Sequence, residues 1–163
     1  MPRRLSLVLM LALVASPALA RDSLGMFGTW AAFRDPQVPR CYAIAMADPS
    51  TLQRDYQPYA DVATWPRAGL RGQVHFRLSR KIQAGAPIIL NLGDQKFTLV
   101  GGGGDAWAAD KRADAAIVAA MRSAQTMTVS ARGADGRGFS NSWKLQGAAT
   151  AMDAAAIGCA ALR

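Results

Sequence analysis

The segment PIILNLGDQKFTLVGGGGDAWAADKRADAAIVAAMRSAQTMTVSAR, residues 87–132, changes its hydrophobic period twice, and those changes set the fold class. Ile88 to Leu92 form a short apolar run opened by Pro87. Gly93-Asp94 follows as a two-residue hairpin signal, the kind of pair that accepts the positive φ such turns need. The returning run, Gln95 to Val100, alternates: Phe97 and Leu99 face one way and Lys96 and Thr98 the other, as in a half-buried strand. Gly101 to Gly104 break this pattern and read as a flexible connection into a helix. From Asp110 the period becomes 3.6, with Ala113, Ala116, Ile117, Ala120, Met121 and Ala124 on one stripe. Asp110 and Asp114 stand at its front and Arg122 at its back, the polarity that the helix dipole favours. Thr126 to Arg132 resume alternation and turn Met127, Val129 and Ala131 inward.

Working upstream, Gly72 to Ser79 alternate cleanly, with Val74, Phe76 and Leu78 on one face and Gln73, His75 and Arg77 on the other. Arg40 to Met46 carry Tyr42, Ile44 and Met46 on one face and the small Cys41, Ala43 and Ala45 on the other. A strand apolar on both faces is expected to be covered on both. Thr29 to Phe33 form a short first strand, ended by Asp35-Pro36 and Pro39. Asp48 to Gly69, with Pro49, Pro58, Pro66, Tyr56, Tyr59 and Trp65, show no clear period and read as a long loop. Downstream, Asp135-Gly136 supply a turn, and Gly138 to Leu145 return with Phe139, Trp143 and Leu145 on one parity. A closing helix from about Thr150 has the stripe Met152, Ala155, Ala156 and Cys159. About seven short strands with one or two short helices predict a mainly β (α+β) domain. The expected architecture is an antiparallel β-sandwich or curled sheet, with helices over an edge or end.

The chain has 163 residues, 51% of them apolar, with 19 Lys+Arg against 11 Asp+Glu, a balance that excludes a disordered tail. Met1–Ala20 read as a secretory signal peptide: a basic start at Arg3-Arg4, an apolar run from Leu5 to Val14, and the small-x-small site Ala18-Leu19-Ala20. Only Met1-Pro2 precede the arginine pair, which favours ordinary secretion over a twin-arginine route. Cleavage after Ala20 leaves residues 21–163 as a single domain and lowers the net charge from +8 to +6. Arg21, not a cysteine, would follow the cut, so no thiol is there for a lipid anchor. No apolar stretch reaches the roughly 20 residues of a transmembrane helix. The expected location is therefore periplasmic or secreted. In such an oxidising compartment Cys41 and Cys159 read as a disulfide, and the closing helix stripe directs Cys159 toward the sheet. A redox or metal-binding role would call for a CxxC, a nearby histidine or further ligands, and the sequence offers none of these.

Candidate chemistry is sparse. His75, the lone histidine, lies on the polar face of its strand and reads as a surface residue without an orienting partner. The chain contains no Glu, and its Asp residues stand mostly at turns and helix starts. Ser140 and Ser142 lack a nucleophile elbow or an S-x-x-K pair, and Gly101–Gly104 lack the Lys-Ser/Thr of a phosphate loop. Trp107 reads as a core anchor. No catalytic residue, metal site or cofactor is expected. Basic residues collect at Arg77, Arg80 and Lys81, again at Lys111 and Arg112, and around a turn at Arg132 and Arg137. The first five are candidates for an anionic partner, since guanidinium groups suit bidentate contact with carboxylate or phosphate. A merely solvated surface is the alternative. Aromatics are not interleaved with them, so nucleic acid is not an expected partner.

Several stretches together resemble the invasion-associated locus B family of exported alphaproteobacterial proteins. They are Phe97-Thr98-Leu99-Val100, Asp105-Ala106-Trp107, the helix segment Ala116 to Arg122, Met127-Thr128-Val129, Trp143-Lys144-Leu145-Gln146-Gly147, and the Ala-rich end at Cys159. Trp30 and Cys41 extend the likeness over most of the chain after Ala20, weakly between Asp48 and Gly69. Where the family pattern has Gly-Phe before the last helix, this chain has Gly147-Ala148. The resemblance implies an envelope role, with host-cell invasion in pathogenic members, and brings no enzymatic site. The expected function is thus an exported, non-enzymatic protein that binds an envelope or host partner. The competing reading is a periplasmic hydrolase or carbohydrate-acting enzyme whose Asp and Ser residues only the fold assembles.

Overall fold

Alternation continues into stretches where small side chains and prolines mask it. The computed structural model describes residues 21–160, so the expected signal peptide, residues 1–20, lies outside the described residues. Within them lie ten strands and two helices. The first five strands are β1 (Asp22–Phe27), β2 (Trp30–Asp35), β3 (Arg40–Met46), β4 (Tyr59–Trp65) and β5 (Leu70–Arg77). Then come β6 (Ile88–Leu92), β7 (Gln95–Gly102), β8 (Asp105–Ala108) and helix α1 (Lys111–Met121). The chain closes with β9 (Thr126–Arg132), β10 (Gly138–Lys144) and helix α2 (Ala148–Ala160). One antiparallel sheet takes all ten strands in the order β1-β2-β3-β4-β5-β8-β7-β6-β9-β10, and it is open.

The mainly β, antiparallel expectation therefore holds, but the count of seven is corrected to ten. β4 lies inside the expected loop. Its buried positions Ala60, Val62 and Ala63 are mostly small, and Pro58 and Pro66 frame it, so its period is weak. β8 is only four residues long, and Gly101–Gly104 finish β7 and turn it tightly into β8 rather than forming a flexible link to the helix. β1 carries a bulge between Ser23 and Gly25 that breaks its parity.

The inner face is built as the alternation dictates. Val74, Phe76 and Leu78 are buried, as are Leu90, Leu92, Met127, Val129 and Trp143. The sheet curls so that the Phe76 ring lies 5.5 Å from that of Trp143, packing β5 against β10. Asp110 caps α1 by accepting the Ala113 N–H at 2.8 Å, and the helix buries Ile117, Ala120 and Met121. Ala116, expected on that stripe, faces outward. Asp114 Oδ1 accepts the Val74 N–H at 2.8 Å and ties α1 to the sheet. Burial pushes the Asp114 carboxyl above its usual range against the pull of that bond, and the nearby Asp110 charge adds to the rise.

Helix α2 lies over β1 to β4. The small side chains of Cys41, Ala43 and Ala45 on β3 leave it room, and the helix buries Ala148, Ala151, Met152, Ala155 and Cys159. Ala156, expected in the stripe, is exposed. Cys41 and Cys159 form the disulfide across 118 residues of sequence, with Cα atoms 5.6 Å apart. The other face of β3 is covered less fully than expected: Tyr42 is buried against Phe33 and Arg40, whereas Met46 is 50% exposed.

A seam joins the two ends of the open sheet. The Thr29 N–H donates to Gln146 O at 3.2 Å, and Trp30 Nε1 donates to Lys144 O at 2.9 Å. Gly147 takes φ +88°, and a Cβ there would lie 1.8 Å from Phe27 O. Only glycine satisfies both the backbone angle and the close approach.

Candidate functional site

Pairing of the central strands sets two rows of side chains on the outer face. Register brings Ile44, Asp61, His75, Trp107 and Val100 side by side across β3, β4, β5, β8 and β7. Beside this row runs a second, Met46, Tyr59, Arg77 and Asp105. These residues point outward because their neighbours Val62, Val74, Phe76 and Ala106 point into the core.

His75 sits at the centre. Its Nδ1 lies 2.8 Å from Asp61 Oδ2, and its Nε2 lies 3.1 Å from Asp105 Oδ1. The second carboxylate oxygen of Asp105 accepts from the Arg77 guanidinium, which in turn lies over the Tyr56 ring at 3.9 Å. Trp107 stacks on the imidazole with ring centroids 5.1 Å apart, and Tyr59 meets it edge-on at 5.7 Å. The His75 side chain is only 17% exposed. The expectation of a surface histidine without an orienting partner is thus corrected: the polar face of a central strand is still walled by the side chains of both neighbouring strands. Trp107 is corrected too. It shares the parity of His75, so it is 37% exposed on the outer face, while Ala106 fills the core position.

Burial disfavours a charged imidazole, but the hydrogen bonds and charges of Asp61 and Asp105 outweigh it and hold the His75 pKa above its ordinary value. Each ring nitrogen faces a carboxylate, so only the imidazolium can donate to both. With the imidazole protonated, two carboxylates, one imidazolium and one guanidinium leave the cluster with no net charge. Burial, then the same two carboxylates, push the Tyr59 hydroxyl up as well.

This arrangement constrains the chemistry. Both ring nitrogens of His75 are engaged by carboxylates, so neither can take a proton from another group without first giving up one of these bonds. The carboxylates approach opposite edges of the ring and so do not converge with it on one point. Among the described residues no group of three His, Cys, Asp or Glu side chains is placed to hold a metal ion. Ser142 lies on β10, where its hydroxyl pairs with that of Thr128 at 2.8 Å.

The basic candidates separate into two places. Arg77, Arg80 and Lys81 lie at one end of β5, while Lys111 and Arg112 open α1, which follows the opposite end of β8. Arg77 is neutralised within the cluster, and Arg80 pairs with Asp135 at 3.0 Å. Arg80 and Arg137 line a cleft of about 530 Å³ between the 46–58 segment and β10. Lys81, Lys111 and Arg112 are exposed. The sequence reading missed Asp61 and Asp105 as partners of the histidine. Asp105 stood in a noted motif, and Asp61 could have been found from the Ala60–Val62 alternation around it.

No protein-family profile matches the sequence, and no curated protein is a detectable sequence relative. Among solved structures, the fold is similar to the crystal structure of invasion associated protein B from Bartonella henselae. The TM-score is 0.57 at 16% identity, over 85% of this chain and 96% of that one. The resemblance read from the sequence motifs is thus matched by a likeness in three dimensions.

Proposed function

We propose that this chain is an exported, non-enzymatic envelope domain of the invasion-associated locus B type, which acts by binding a partner through the outer face of its sheet. The observation that carries the reading is the self-neutralised Asp61–His75–Asp105–Arg77 cluster. Its polar groups are satisfied by one another, and exposed Trp107, Val100 and Met46 flank it. Such a face presents apolar and aromatic contact area with fixed polar groups, which suits recognition of another surface. Exposed Lys81, just beyond the end of β5, would add attraction for an anionic component of the envelope or of a host surface. Export is supported by the Met1–Ala20 pattern and by the Cys41–Cys159 bridge.

Site-directed photocrosslinking in the native cells tests the reading. A photoreactive residue at Val100 should yield a discrete adduct, and the same residue at Ile157 on α2, itself 74% exposed, should not. Trp107→Ala should diminish the Val100 adduct. Equal labelling from both positions, or none from Val100, overturns the assignment of the binding face. Fractionation of the same cells, with sequencing of the mature N-terminus, should find Arg21 first and the protein outside the cytoplasm.

A further inference from the structure

A groove with a cavity volume of about 770 Å³ opens between α1 and α2, with the ends of β4 and β5 as its floor. It shares no residue with the outer-face cluster. Val62 and Leu70 form the floor, Val118 and Ala119 one wall, and Met152 and Ala156 the other. The volume falls in the range of small-molecule sites, roughly 300–1,000 Å³. The disulfide partner Cys159 also lines it, so the bridge fastens one wall of the groove to the sheet.

Charge at the mouth selects the occupant. Arg71 and Arg122 line the groove, and among the described residues no acidic side chain does. Arg122 is already held in bidentate fashion by Asp153, through Nη1 at 3.3 Å and Nη2 at 2.7 Å. Arg71 is exposed and makes no salt bridge among the described residues. One unmatched guanidinium therefore stands beside an apolar trough. That combination is complementary to a monoanionic head on a single hydrocarbon chain. We propose that the groove holds the acyl chain of a free fatty acid, with its carboxylate on Arg71.

Calorimetric titration of the purified whole protein with palmitate tests this. Wild type should bind saturably. Ala119→Trp and, as a second filler, Ala115→Trp occupy exposed positions on α1, so the helix should persist by circular dichroism while palmitate binding falls at least about tenfold. Arg71→Gln should weaken palmitate about tenfold and leave hexadecanol, which has the same chain and no charge, unchanged. Absence of saturable binding to wild type overturns the proposal, as does wild-type affinity in both filled variants or in Arg71→Gln. Binding that appears only after removal of residues 161–163 assigns the groove to the chain's own tail instead. Self-association abolished by Ala119→Trp assigns it to a second copy. Either result also overturns the fatty-acid assignment.

Discussion

His75 couples three strands through two hydrogen bonds, and its protonation decides whether both can form. An unfolded histidine titrates near pH 6.5, and the folded value lies higher. The stabilisation is therefore complete below about pH 6.5 and is lost as pH rises through the folded value. Urea midpoints should fall across that window in wild type and flatten in His75→Gln, and an NMR titration of the imidazole should give the raised pKa directly. Gly147 is a second decisive residue. Gly147→Ala meets both a positive φ and the Phe27 carbonyl, and should cost about 3 kcal/mol in chemical denaturation. The outward direction of His75 was legible from the parity of Val74, Phe76 and Leu78. Its partners were not, because Asp61 and Asp105 reach it only through pairing between strands 14 and 30 residues away. Local periodicity carries no information about which strands become neighbours.

Whole elements were legible in proportion to the size of the side chains that mark them. β5 and β9 alternate large apolar residues with polar ones, β6 is a compact apolar run between Pro87 and a hairpin turn, and α1 announces itself by a 3.6-residue stripe and an aspartate cap. Removing that cap, Asp110→Ala, should lower stability by about 1 kcal/mol, seen as an earlier denaturant midpoint. β4 and β8 use alanine at core positions where the curl or the overlying α2 leaves little space, so their hydrophobic contrast is faint. The closing helix shows the converse. Its alanines are apolar all round, so the pattern placed Ala156 inward when contact with the sheet in fact selects Ala151 and Ala148. The bridge from α2 to β3 was legible from compartment and stripe together. Replacing both Cys41 and Cys159 by Ser should destabilise the fold by up to about 4–5 kcal/mol, the chain-entropy value for so long a loop. Amide exchange should accelerate first in α2, whose alanine contacts with the sheet are small individually.

At the scale of the molecule, sequence resemblance and three-dimensional likeness to invasion associated protein B converge on one fold, although identity is 16%. Charge is dispersed: Arg34, Arg77, Arg80 and Arg122 each pair with an aspartate, which leaves the remaining excess of basic groups spread over separate regions. Retention on vesicles containing anionic lipid should accordingly be weak and should fall when salt rises from about 0.05 M to about 0.5 M, as the screening length shrinks to a few ångströms. Retention that is indifferent to salt would remove the anionic component from the partner's description.

The covalent link from Cys41 to Cys159 also decides what a protease can accomplish. A cut anywhere between those residues, including the exposed 48–55 segment, opens a closed ring without releasing a fragment. The nicked product still migrates as one piece until a reductant is added. A single cut liberates a peptide only outside the ring, before residue 41 or after residue 159, and before residue 41 the chain is held by the β1–β2 hairpin and its seam with Gln146. A molecule so tethered survives injury to its loops with all its parts in place, a useful property wherever proteins meet hydrolytic enzymes without any prospect of resynthesis on site.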